Sequence, residues 1–195
     1  MRRNILIVGV AVLVVAGSGL WWLGSAQGFS ARKEPTRIEA FFARNARLMA
    51  IPSAAKNLKN PVQLTPDVLI EGRRHFADHC AVCHANDGSG NTEVGRNLYP
   101  KAPDMREKAT QSLSDGELYF IIHNGIRLSG MPAWGAESDA DHDHDSWTLV
   151  HFIRHLPSLS AEEIKDMQQM NPRSPQEMRE EREEEEFLKG KPERK

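Results

Sequence analysis

The sequence predicts an all-α fold for its central domain, on three observations. Apolar residues recur at helical spacing behind recognisable caps, no stretch alternates convincingly as a strand, and the helices are separated by long Gly/Pro-rich loops. Loops of that length inside a small domain are unusual unless a bound group organises them. The whole chain is expected to place an apolar helix before this domain and a charged tail after it.

Residues 1–26 read as a transmembrane anchor or signal-anchor. Ile5 to Leu23 is apolar apart from Gly and Ser, follows Arg2 and Arg3, and ends beside Trp21 and Trp22. At ~1.5 Å per residue the run reaches across most of a hydrocarbon core of about 30 Å, and indoles favour the interface. The rival is a cleaved signal peptide with Gly24-Ser25-Ala26 as a weak cleavage site, although the run exceeds the usual apolar region of ~7–15 residues. Arg32, Lys33 and Arg37 follow closely, so charge bias alone does not decide the orientation.

Residues 27–64 form a connector. Pro35 to Ala50 reads as a short amphipathic helix carrying Ile38, Phe41, Phe42, Leu48 and Met49, with Arg37, Arg44 and Arg47 among them. It either lies on a membrane surface or packs against the domain. Ile51-Pro52 stops it, because a residue before proline is pushed out of the helical region.

The domain itself is expected over 65–158. It opens at Thr65-Pro66-Asp67: an N-cap, a proline at the first helical position and an acid in the first turn. That helix runs towards Cys80 with Gly72, Phe76 and Cys80 in one row. A second follows the capping box Ser114-Asp-Gly-Glu117 and ends near Gly125. A third starts at Asp145 or Ser146 and carries Trp147, Val150, Phe152 and Ile153 before Pro157. The tail, 159–195, holds two more box patterns, Ser160-Ala-Glu-Glu163 and Ser174-Pro-Gln-Glu177, then Arg/Glu repeats to Phe187 and Leu188. With so little apolar surface it reads as a solvated helix or disordered chain.

The 195 residues contain two cysteines, both inside Cys80-Ala-Val-Cys83-His84. A disulfide framework is thereby excluded, and no second pair exists to complete a zinc ribbon. The net charge of -2 divides into +7 over residues 1–60, -6 over 61–159 and -3 over 160–195. Basic residues gather beside the apolar segment and not on the domain, which argues against nucleic acid and for phospholipid headgroups.

C-x-x-C-H is the attachment signal for one covalent haem c. Two thiols three residues apart on a helical turn can each add to one vinyl group of the same porphyrin, and His84 is then delivered to the iron. A thioredoxin-like dithiol would want a βαβ setting, which the chain lacks. A ligand for the opposite face is expected from Met131, in Gly130-Met131-Pro132-Ala133-Trp134. Flanking Gly and Pro stiffen the loop, and a soft thioether favours ferrous iron. Met105 and His123 are the other candidates. Met105 leaves less chain to fold round a ring, and His123 sits mid-helix where packing or surface exposure is the simpler reading.

Residues 61–159 resemble the class I c-type cytochromes, the cytochrome c and c6-like family. The matching elements are Gly72-x3-Phe76-x3-Cys80-x2-Cys83-His84, Asp87-Gly-Ser-Gly-Asn91, Tyr99-Pro-Lys-Ala-Pro-Asp-Met105, Gly125-Ile-Arg-Leu-Ser-Gly-Met131-Pro-Ala-Trp134 and Trp147-x2-Val150-x-Phe152. The resemblance implies the class I cytochrome c fold, with first and last helices crossing where Gly72 lies beside Phe76 and Phe152. It implies His84/Met131 axial ligation, one-electron transfer, and a carbonyl near Pro100 or Pro103 that accepts from His84 Nδ1. Ala85 departs from the glycine that commonly follows the motif, which bears on local loop shape.

Other histidines read more plainly. Asp139 to Asp145, with His142 and His144, has donors enough for a divalent metal, but such a run is more often a loop whose acids face the next helix N-terminus. His151 and His155 share a helix face without a zinc-protease glutamate and read as surface or supporting residues. The resemblance places the haem domain in the periplasm, at the bacterial inner membrane. The chain is expected to be an electron carrier and not itself an enzyme, shuttling single electrons between membrane or periplasmic redox partners. Its acidic domain suits a basic docking face on those partners. The alternatives are a cytochrome subunit of a larger oxidase or dehydrogenase, and a ligand-binding haem sensor or peroxidase.

Overall fold

The computed structural model describes residues 2–27, 30–135, 143–173 and 175–189, and all their regular elements are helical. Helix α1 (Arg2–Gln27) holds the apolar run. Its described side chains from Leu6 to Trp22 form a stretch of about 25 Å at ~1.5 Å per residue. Among the described residues no helix is long and apolar enough to cross a membrane.

Helix α2 (Arg37–Ala50) starts at a capping box the sequence contains in full: Thr36 Oγ1 accepts from Glu39 N, and Glu39 accepts from Thr36 N. Ile51, in extended backbone before Pro52, ends it as expected. Ile38, Phe41, Phe42 and Met49 stay exposed, whereas Leu48 packs on the core. Helix α3 (Ser53–Lys56) follows directly, with Ile51 and Ala55 buried. It meets helix α8 (Asp115–Asn124) at Gly116, where a Cβ would stand 1.9 Å from the Ala55 carbonyl oxygen. Ser114, capping α8 in the predicted box with Glu117, also donates its hydroxyl to the Lys56 carbonyl at 2.9 Å. Much of the expected connector is therefore fastened to the domain.

Helix α4 (Pro66–His75) begins at Thr65, whose hydroxyl accepts from Val68 N. The sequence suggests one helix up to the cysteines. Instead a single π turn, Phe76–Cys80, separates α4 from helix α5 (Ala81–His84). Helix α9 (His144–His155) crosses α4 closely. A Cβ on Gly72 would lie 2.5 Å from the Thr148 carbonyl oxygen, and Phe76 meets Phe152 with ring centroids 5.1 Å apart, both fully buried. The expected crossing of first and last domain helices is present, with the glycine where the backbones approach.

Helix α9 starts slightly earlier than its sequence suggests, because Asp143 is the cap: it accepts from Ser146 N at 3.0 Å. The same carboxylate meets His123 Nδ1 at 2.9 Å, so this acid of the Asp/His run serves a helix N-terminus. The remainder, 136–142, lies outside the described residues. His151 Nε2 contacts the Val62 carbonyl at 2.8 Å and His155 meets Glu163 at 2.9 Å, which makes both structural ties.

Beyond the 3-10 turn Leu156–Ser158, helix α10 (Ala161–Met170) uses its predicted Ser160/Glu163 box and packs back on the π turn and α4 through Met167, fully buried. The tail thus begins as part of the domain. Helix α11 (Pro175–Leu188) carries the charged repeat, with Phe187 and Leu188 exposed; Ser174, its expected cap, lies outside the described residues.

Candidate haem site

The C-x-x-C-H run occupies the end of the π turn and α5, so the local winding changes at the residues that carry the motif. Three tight contacts hold this turn. Helix α6 (Glu93–Asn97) presses Gly95 so near the Cys83 carbonyl that a Cβ would stand 2.2 Å from its oxygen. Thr92, the α6 cap, donates its hydroxyl to the same carbonyl at 3.2 Å. Gly90 N donates to His84 O at 2.8 Å.

Cys80, Cys83 and His84 line one cavity of about 360 Å³, together with Met105 and Met131. Its remaining walls are largely aliphatic, with Leu98 from the loop, Leu118 and Ile122 from α8, Ile153 from α9 and Trp134 closing one side. Four of the residues singled out by the motifs thereby come together, and Met105 joins them. His123 does not: it is buried between Tyr119 and Asp143, and its ring fills the space where a side chain on Gly135 would go.

The electrostatics suit a neutral, metal-binding imidazole and protonated thiols. Burial holds His84 down to about 4, partly opposed by the Pro103 carbonyl. Nδ1 itself is fully enclosed without a hydrogen-bond partner. Burial pushes Cys80 up to about 12, with Cys83 adding to it, and raises Cys83 as well. Redox-active dithiols work the other way, through a depressed thiol pKa. Two protonated sulfurs at the edge of an apolar cavity, with a neutral imidazole beside them, fit a porphyrin carrying two vinyl groups and an iron. The residues present therefore fit haem c.

The Met131 loop is built differently. Gly125 ends α8 at φ +66°, and a Cβ there would stand 2.6 Å from Ala133 N. The chain then folds on itself: Ile126 N donates to Met131 O at 3.1 Å, Met131 N to Ser129 Oγ at 3.1 Å, and Trp134 N returns to Ile122 O at 3.2 Å. Met105 is more deeply set, its backbone pinned by Gly88 O at 2.8 Å and by Gln111, which donates to Met105 O at 2.8 Å. Helix α7 (Lys108–Gln111) supplies that glutamine.

Sequence reasoning did not single out Arg47, which reaches the same cavity from α2. Nor did it find Lys101 at the rim, ion-paired to Glu34. Nothing in an arginine on an amphipathic helix separates a cavity-lining position from a solvated one.

Residues 68–153 match the model of a family described as cytochrome c oxidase, cbb3-type, subunit III. A cbb3-type cytochrome c oxidase subunit FixP of Sinorhizobium medicae is 36% identical over 70 residues, which are 35% of this chain and 22% of that protein. The subunit FixP of Rhizobium meliloti gives the same figures, and that of a Bradyrhizobium species is 38% identical over 69 residues, 35% of this chain and 21% of its own. The chain therefore spans 21–22% of the length of these curated relatives.

Proposed function

Since this chain carries a class I c-type cytochrome domain, we propose that it is the single-haem cytochrome component of a membrane-bound oxidase complex, with the haem domain in the periplasm. The observation that carries the reading is the convergence of Cys80, Cys83 and His84 on one apolar cavity. Similarity to subunits of cbb3-type oxidases supports a place within an oxidase over the free shuttle that the sequence first suggests.

Each residue has a task. Cys80 and Cys83 would hold the haem covalently, each thiol adding across one vinyl double bond with its S–H proton ending on a vinyl carbon, so that no external oxidant would be consumed. His84, neutral through burial, would hold the iron through Nε2, and the Pro103 carbonyl, which already acts on the ring, would fix the tautomer by accepting from Nδ1. Met131, which lines the same cavity, would supply a thioether as the second protein ligand to the iron. The haem supplies a one-electron ferric/ferrous couple, and the aliphatic walls keep water from it. Helix α1 would tether the domain at the membrane through the apolar run from Ile5 to Leu23. The acidic 61–159 segment favours a partner with a basic face.

Two measurements test this. Acid–acetone extraction followed by a pyridine haemochrome spectrum should leave one thioether-linked haem on the chain; haem lost to the solvent would sink the site. Detergent-solubilised native membranes, resolved without denaturation, should show the chain migrating with cytochrome c oxidase activity. Migration as a small species free of oxidase would return the reading to a tethered shuttle.

A further inference from the structure

Among the described residues lining the cavity, Arg47 brings a cation that no ion pair meets. Its Nε is fully enclosed without a hydrogen-bond partner, and among the described residues no carboxylate lies within ion-pair distance of its guanidinium. Burial, with Arg44 adding to it, lowers its hold on the proton, and Glu117 on α8 only partly opposes this. Glu117 is already engaged, its carboxylate accepting from Ser114 N at 2.8 Å. The other cation lining the cavity, Lys101, is paired with Glu34. A half-buried guanidinium with an orphan donor is costly unless an anion meets it.

The backbone that carries this side chain is held in place. Leu48, the next residue, packs on the core, its carbonyl accepts from Lys56 Nζ at 2.9 Å, and α3 is locked to α8 through Gly116. Arg47 is thus presented to an apolar cavity whose intended occupant has two anionic groups, the haem propionates.

We propose that Arg47 donates to a haem propionate, so that helix α2, outside the residues matched by the oxidase-subunit family, completes the pocket and raises its potential. This rests on the haem reading above. Arg suits the task because its planar fork matches a carboxylate and stays charged across all working pH.

The experiment uses the full-length chain with haem attached: wild type, Arg47→Gln, Arg47→Lys and, as a neighbouring exposed control, Arg44→Gln. Haem content by pyridine haemochrome comes first, then midpoint potentials from pH 5 to 8. Losing the cation should favour ferric iron by up to about tenfold, a fall of ~59 mV for a one-electron couple. Without Arg47 the propionate also gains a proton within this window, so the Arg47→Gln potential should climb as pH falls, relative to wild type. His79, which also lines the cavity, is common to every variant, so its contribution cancels in the difference. Arg47→Lys should restore most of both effects, and Arg44→Gln should change little.

Equal haem content with matching potentials and pH profiles in wild type and Arg47→Gln would overturn the pairing. So would failure of both Arg47 variants to hold haem, since lysine keeps the charge. Haem held by lysine but not by glutamine supports it. A wild-type chain without covalent haem would instead defeat the cofactor reading itself.

Discussion

The two methionine- and histidine-bearing sides of the cavity are built by different means. On the Cys80–His84 side, backbone meets backbone: Gly95 and Thr92 close on the Cys83 carbonyl, and Gly90 on that of His84. On the Met131 side the loop from Gly125 to Trp134 depends on its own hydrogen bonds and hangs from the end of α8. Leu128 in this loop is 93% exposed and has φ +61°. One side is embedded in the fold, and the other is a local construction. On the haem reading proposed above, the first would retain the cofactor and the second would adjust its properties.

The strongest break is on the embedded side. Replacing both Cys80 and Cys83 by Ala removes every cysteine in the chain, and covalent holoprotein should fall to almost nothing. Either single variant should retain at most one thioether. Mass spectrometry of the intact chain counts the attached haem directly, and a full complement in the double variant would refute the attachment scheme.

Next comes Gly95→Ala. The added Cβ would meet the Cys83 and Gly90 carbonyl oxygens at 2.2 and 2.6 Å, both backbone atoms without a side chain to swing aside. Overpacking of this kind costs about 1–3 kcal/mol. A domain of this size should lose ~4–8 °C of melting temperature per kcal/mol. An unchanged melting curve would mean that α6 yields easily, and the contrast between the two sides would weaken.

On the other side, Met131→Ala should keep the haem and lose the sulfur-to-iron charge-transfer band of the ferric form. The potential should fall, by ~59 mV for each tenfold loss of ferrous preference. If the band survives here and vanishes in Met105→Ala, the deeper methionine is the ligand and the Met131 loop has another role.

How much of this was legible in the sequence follows from where side chains, or backbones, carry the information. Thr65, Ser114 and Ser160 announce their helices because a cap needs a particular side chain at a particular place. The crossing at Gly72 and Phe152 came from the family resemblance, and the close approach there is why a larger residue would not fit at position 72. The π turn leaves no comparable mark: Gly72, Phe76 and Cys80 fit an uninterrupted helix equally well by spacing. Met167 is one buried residue in a strongly charged segment, too sparse a pattern to reveal packing. The Thr36/Glu39 box was readable, and would have placed the start of α2. At the site, the proposed ligating and thioether residues are picked out by motif and line one cavity, whereas Arg47 and Lys101 depend on how α2 and the loop before Met105 come together in space.

The smallest expected effect sharpens the comparison most finely. Ala85 follows the motif with φ +60° and ψ 158°, a region that is essentially glycine's own. It is held there from both directions: its N donates to Ala81 O at 2.8 Å, and its carbonyl accepts from Gly88 N at 3.0 Å. The adjoining His84 carbonyl is engaged by Gly90, so the chain cannot relax without releasing the loop. A side chain in such a conformation costs about 1–3 kcal/mol, and glycine would remove that cost. Against this, the unfolded chain gains freedom worth about 0.4–1 kcal/mol. Ala85→Gly should therefore stabilise the holoprotein by about 1 kcal/mol, with haem content and the charge-transfer band unchanged, since neither ligand moves. Thermal melts at matched haem loading measure it. A lower melting temperature would show that the embedded side tolerates its strained alanine without cost, and the rigidity attributed to that side would have to come from elsewhere.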